Sequence, residues 1–197
     1  MRTIIYFIEF ILIKILFTIF KLIGYKFSSN LGFLIGKIFG PLFKSKKQII
    51  KNLEKANIQK KQNPKKIASN VLGNYGRIFA EYVHLEDFRN GKLNKYISIE
   101  GLEHLNYLKQ SKKKAIFISG HFNNFELMAM QIEKAGIELA AIYRPLNNVF
   151  LNKTMEKIRT ENICKNQIKK GRAGSREIIK NVKNGKSIAI MIDQRVR

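Results

Sequence analysis

No intrachain disulfide can form, because the chain holds a single cysteine, Cys164. A reducing compartment is the natural setting for such a chain. Nothing near Cys164 in sequence would activate a thiolate, so it reads as a small buried hydrophobe. Acidic residues are also scarce: 14 Asp and Glu stand against 37 Lys and Arg, a formal charge of +23. That excess points to a polyanion, either nucleic acid or an anionic membrane surface. No nucleic-acid-binding motif or interleaved aromatic platform accompanies it, which argues against nucleic acid. No small-residue cleavage site of the Ala-x-Ala kind follows the apolar N-terminus, which argues against a removed signal peptide. Internal repeats and low-complexity linkers are lacking too. With 45% hydrophobic residues the chain is not disordered. Its length suits one globular domain with an N-terminal appendage.

What is present begins with that appendage. Residues 4–23 hold fifteen Ile, Leu and Phe, interrupted by Glu9, Lys14 and Lys21. Twenty helical residues reach about 30 Å, the thickness of a hydrocarbon core. Glu9 and Lys14 each cost up to about 3 kcal/mol near its centre, so insertion is close to balanced. Lys14, Thr18 and Lys21 also share one helical stripe, the pattern of a helix lying in the membrane plane. Spanning and lying flat are both open.

A second apolar stretch, Leu31 to Phe43, carries Gly32, Gly36 and Gly40 at i, i+4 spacing. Such a ridge suits either a close helix–helix seam or a short helix on the membrane. From Lys44 to Lys66 the chain is strongly basic, with Ile49, Ile50 and Leu53 as a thin apolar stripe. It reads as a segment resting on an anionic cytoplasmic leaflet, or as a solvated helix face. Pro64 then opens a helix expected over 65–83.

From about Tyr96 the rhythm becomes alternating. Strands are expected at 96–99, 115–119, 137–143, 163–168 and 187–192, with helices at 102–110, 124–135, 148–161 and 175–184. This alternation implies an α/β fold, a mostly parallel sheet with flanking helices, preceded by a membrane-associating helical region. The expected divisions are 1–43 for the membrane helices, 44–95 for a basic helical region and 96–197 for the α/β core. The chain ends directly after its last strand, so a C-terminal part of the fold is expected to be missing.

The organising stretch is Ala115 to Met130, AIFISGHFNNFELMAM. An apolar strand breaks at Ser119-Gly120 and hands over to a helix, which puts the turn at the carboxyl edge of the sheet, where α/β folds bind substrates. His121 and Glu126 lie five positions apart, about 140° around a helix. They can meet only if His121 precedes the helix. The competing reading makes Asn123 and Glu126 a capping box. Two more polar clusters end later strands: Tyr143-Arg144-Pro145, and Asp193-Gln194. A base, a carboxylate and an arginine at one edge suit acyl transfer. His121 would deprotonate a hydroxyl while Glu126 holds its tautomer, and Arg144 would bind a phosphate or the oxyanion. Asn124, Tyr143, Arg159, Asp193 and Gln194 are further substrate-binding candidates. No metal ligand set is expected.

The His-x4-Glu of HFNNFE, the YRP of 143–145, the DQ of 193–194 and the helix ending NYGRIFAEYV together resemble the lipid A biosynthesis (lauroyl/myristoyl-type) acyltransferases of the lysophospholipid acyltransferase superfamily. The resemblance implies acyl transfer from an acyl-carrier-protein thioester to a hydroxyl of a phosphorylated glycolipid, a lipid A precursor. It implies the cytoplasmic face of the inner membrane and no metal or cofactor. His121 and Glu126 carry over as the catalytic pair, Arg144 as the arginine of the YRP motif. The strand end IDQR, where the glycerophosphate branch has FPEG, favours the lipid A branch. The apolar Val-Pro-Phe-Phe-Gly-like segment that follows Asp-Gln in the family does not follow here. The alternatives are a lysophospholipid or other lipid acceptor, or a non-catalytic basic membrane-binding protein.

Overall fold

The computed structural model describes residues 2–56 and 63–193. The chain divides into two compact units, one of Met1–Ile13 with Leu85–Arg197, the other of Lys14–His84. The divisions fall near residues 13 and 84, whereas the sequence reading drew them at 43 and 95. The first helix, α1 (Arg2–Ile23), contributes to both units, which composition alone does not reveal.

The unit of Lys14–His84 is helical. Gly24, at φ +77°, ends α1, and α2 (Tyr25–Phe43) follows at once, running through Pro41 to end two residues later. Ser45 caps α3 (Lys46–Lys55), and Asn63 caps α4 (Pro64–Glu81), with Pro64 in the first turn where its missing N–H is harmless. The glycine ridge is a seam between α2 and α4. A Cβ on Gly32 would lie 2.5 Å from the carbonyl oxygen of Gly76, and one on Gly76 would lie 2.1 Å from the carbonyl oxygen of Gly32. Backbone meets backbone, so neither side can yield. Gly76→Ala is therefore expected to destabilise the unit by about 1–3 kcal/mol or more through overpacking. A melt in detergent checks this, and an unchanged transition would refute the seam. Ser29 donates to Glu81 and Ser28 pairs with His84 Nε2 beside the seam, so these buried polar groups are satisfied.

The other unit is α/β. Short helix α5 (Leu85–Arg89) leads into it, and α6 (Leu102–Ser111) precedes β1 (Ile116–Ser119). Then come α7 (Glu126–Lys134), β2 (Leu139–Tyr143), α8 (Val149–Asn162), β3 (Asn166–Lys169), α9 (Arg172–Lys183) and β4 (Ser187–Met191). The expected strand at 96–99 is not one: 94–96 form a 3-10 turn, Ile97 is extended, and 97–99 join no ladder. Alternation favours extension, but a strand also needs a neighbour.

All strand pairs are parallel and the order is β1-β4-β2-β3. From β1 to β3 the chain moves one way across the sheet; from β3 to β4 it returns. Right-handed crossovers then place α7 and α8 on one face and α9 on the other. Ile178 of α9 accordingly packs with Ala140, Ile168 and Ile188. The last strand thus inserts between β1 and β2, and its carboxyl end lies beside the loop that carries His121.

Candidate active site

The turn after β1 is shaped by two unusual backbone positions. Gly120 is buried, and a Cβ there would come within 2.8 Å of the Phe122 ring and 3.3 Å of the Asp193 carboxyl carbon. Glycine therefore lets Asp193 approach. Phe122 N–H donates to the Gly120 carbonyl at 2.8 Å, a tight three-residue turn. Asn123 takes φ +46°, a left-handed conformation that Asn tolerates better than most residues. Helix α7 starts only at Glu126, with Phe125 as a cap lacking any side-chain hydrogen bond. His121 thus lies in the loop before the helix, as expected, and Glu126 opens the helix.

Asp193, two residues past β4, grips His121 at two points. Its Oδ2 accepts the His121 backbone N–H at 2.9 Å, and its Oδ1 lies 2.8 Å from Nδ1. These donors, the backbone N–H first, hold the Asp193 carboxyl below the usual carboxylate range. An ionised partner on Nδ1 places the ring proton there and leaves Nε2 as the basic nitrogen. The His121 side chain keeps 27% of its surface exposed, and its ring packs edge-on against Phe125. The pair is oriented yet accessible.

The sequence reading had Glu126 hold the imidazole, whereas in the structure the group at Nδ1 is Asp193. Glu126 is buried at the first position of α7, where the helix dipole favours a carboxylate, and its Oε1 lies 2.9 Å from both Nε and a terminal nitrogen of Arg159 on α8. Asp193 is correspondingly a partner of the histidine instead of a free substrate-binding group. Arg159 is engaged too, and its guanidinium also lies over the Tyr143 ring at 5.8 Å. Tyr143, at the end of β2, donates its hydroxyl to Glu156, which Lys169 also approaches at 3.3 Å. Burial, then that hydrogen bond, raises the Tyr143 pKa, so it stays a neutral donor; the same bond lowers the pKa of Glu156. A connected set Glu126–Arg159–Tyr143–Glu156–Lys169 underlies the edge beside the His–Asp pair. Glu156 and Lys169 were missed from sequence: Glu156 sits mid-helix among polar residues, and Lys169 lies just past the expected strand at 163–168.

Arg144 follows β2 and is exposed. Glu126, the carboxylate nearest the histidine in sequence, is bound to Arg159. Strands β1 and β2 are not neighbours, since β4 lies between them, so the ends of the two strands are about 10 Å apart. That gap suits an intervening substrate group better than a direct contact. Asn124 is partly buried in the loop before α7; Gln194 lies outside the described residues. Cys164 is fully buried, its Sγ–H donates to the Leu139 carbonyl, and burial pushes its pKa up to about 11, as suits an inert core thiol. Among the described residues no three His, Cys, Asp or Glu side chains gather as a metal ligand set.

The family model for bacterial lipid A biosynthesis acyltransferases matches residues 1–197, the whole chain. The chain belongs to that family. Neither a curated protein nor a solved structure matches it. Acyl transfer in lipid A biosynthesis accordingly frames the chemistry of the His–Asp pair. The apolar α1, the one helix among the described residues long and apolar enough to cross a membrane, fits a lipid substrate.

Proposed function

We propose that this lipid A acyltransferase moves a fatty acyl chain from an acyl-carrier-protein thioester to a hydroxyl of a phosphorylated lipid A precursor, at the cytoplasmic face of the inner membrane. The observation that carries the reading is the His121–Asp193 pair at the carboxyl edge of the sheet. Nε2 of His121 takes the proton of the acceptor hydroxyl as its oxygen attacks the thioester carbonyl. The tetrahedral intermediate then collapses, the C–S bond breaks, and the imidazolium returns the proton to the leaving thiolate. Asp193 holds the tautomer and stabilises the imidazolium. Glu126 acts through Arg159, keeping α7 and α8 in register beneath the loop.

Arg144 is assigned to the acceptor phosphate. A guanidinium offers two parallel donors where lysine is a point charge. Arg144→Lys is expected to lose about 2 kcal/mol of binding, read as a roughly 30-fold rise in KM for the acceptor with kcat nearly kept. An unchanged KM would remove Arg144 from the phosphate site. The reading as a whole is tested by mass spectrometry of lipids in membranes that carry the protein or its His121→Ala variant. Lipid A precursor carrying one additional acyl chain should appear with the first and not with the second. A product built on a lysophospholipid would replace the acceptor assignment.

A further inference from the structure

The orientation of α1 is written in its two faces. Helical phase places Tyr6, Phe10, Ile13, Phe17 and Phe20 on one side, within about 80° of each other. These face protein. In the unit with the candidate site, Phe7 and Phe10 pack on Phe150 of α8, with ring centroids 5.6 and 6.1 Å apart. Asn148 caps α8 through its Oδ1, which accepts the Phe150 and Leu151 N–H groups. Its Nδ2 reaches α1, donating to the Tyr6 carbonyl at 2.8 Å and to Glu9 Oε2 at 3.0 Å. In the other unit, Phe17 packs on Phe79 at 4.9 Å, and Phe20 is 1% exposed.

The opposite side is apolar and open. Ile4, Ile8, Ile11, Ile15, Ile19 and Leu22 are all exposed and fall within about 80° of phase, in an unbroken stripe. Lys14 and Lys21 border the stripe on one flank and Glu9 on the other.

We infer that α1 lies in the plane of an anionic bilayer, with this stripe in the acyl region, and does not cross it; this rests on the membrane location proposed above. A crossing helix would carry its first half about 10–15 Å away from whatever its second half touches on the protein, surrounded by lipid. Here the first half is held by α8 of the unit that carries the histidine. Crossing would also bury Glu9 and Lys14 near the middle of the hydrocarbon, at up to about 3 kcal/mol each. Lying flat keeps Glu9 with Asn148 at the interface and lets Lys14 and Lys21 reach anionic headgroups. The bilayer, not a protein, is the occupant because the stripe is of one residue class, Lys14 and Lys21 line one flank of it, and the chain carries +23.

The chain contains no tryptophan, so a single introduced one reports its own depth without background. Full-length Ile4→Trp, Ile11→Trp, Ile15→Trp and Leu22→Trp variants would be bound to vesicles of neutral and anionic phospholipid, brominated at shallow or deep acyl positions. All four positions should show the same shallow quenching, within a few Å. A profile with Ile11 and Ile15 about 10 Å deeper than Ile4 and Leu22 would overturn the in-plane inference and leave the membrane location standing. Quenching at none of the four would overturn both. Since Cys164 is buried, a Thr3→Cys variant adds a second readout. An impermeant maleimide should label it from the same membrane side as an exposed Lys157→Cys, and labelling from opposite sides would show crossing.

Discussion

His121→Ala is expected to reduce acyl transfer by about 10²- to 10⁴-fold, with the thermal transition of the protein unchanged. The imidazole is partly exposed and packs only edge-on against Phe125, so its loss leaves no large cavity. Asp193→Asn tests the orienting role separately. An amide cannot stabilise the imidazolium and can present either a donor or an acceptor to Nδ1, so activity should fall by about 10²-fold or more. Acidification works through the same pair. The Asp193 carboxyl has a lowered pKa, so its contribution is present above the ordinary carboxylate value of about 3.9 and is lost only as pH falls through the lower folded value. The rate advantage of the native protein over Asp193→Asn should therefore hold undiminished as pH is lowered to about 4, which a pH–rate profile of the two proteins checks. Full activity of Asp193→Asn, together with loss in Glu126→Gln at unchanged stability, would return the orienting role to Glu126.

The second large effect is expected at the Glu126–Arg159 pair. Its side chains are only 9% and 15% exposed, so neither charge has water to fall back on. Arg159→Ala leaves the Glu126 carboxylate buried without its principal partner, a loss of about 3–5 kcal/mol. Removing both charges as Glu126→Leu with Arg159→Met should recover most of that stability, since the desolvation penalty disappears with the charges. The double-mutant cycle, measured by chemical denaturation, gives the coupling directly. Near-zero coupling would mean that the pair contributes nothing to the fold. Activity in the charge-free double variant separates structure from chemistry: retained turnover makes Glu126 a positioning residue, and abolished turnover in a stable variant would make it catalytic.

The sequence by itself determined the features that depend on near neighbours. The apolar run of Ala115 to Ile118, broken at Gly120 before a helical pattern, places His121 in a strand-to-helix loop, and the structure has it there. The β–α alternation from residue 115 onward specifies a parallel sheet, because parallel strands need crossovers. The small-residue ridge at Gly32, Gly36 and Gly40 left a helix seam and a membrane helix both open, and its close approach to Gly76 on α4 decided for the seam.

What only the tertiary structure decided is which distant groups meet. His121 and Asp193 are 72 residues apart, and Glu126 and Arg159 are 33 apart. Sequence spacing favoured Glu126 as the partner of His121 because it was near along the chain. Two facts of assembly reversed that choice. The last strand enters between β1 and β2, which brings Asp193 against Gly120, where there is no Cβ to exclude it. Helix α8 packs beside α7, which brings Arg159 to the carboxylate at the α7 N-terminus. The same holds for α1, whose composition admits both a spanning and a flat helix. Its hydrophobic pattern records two apolar faces, but only the packing of Phe10 and Phe17 shows which of them is covered by protein. Strand order and helix packing are set by burial summed over the whole unit, and a local pattern carries no information about that sum.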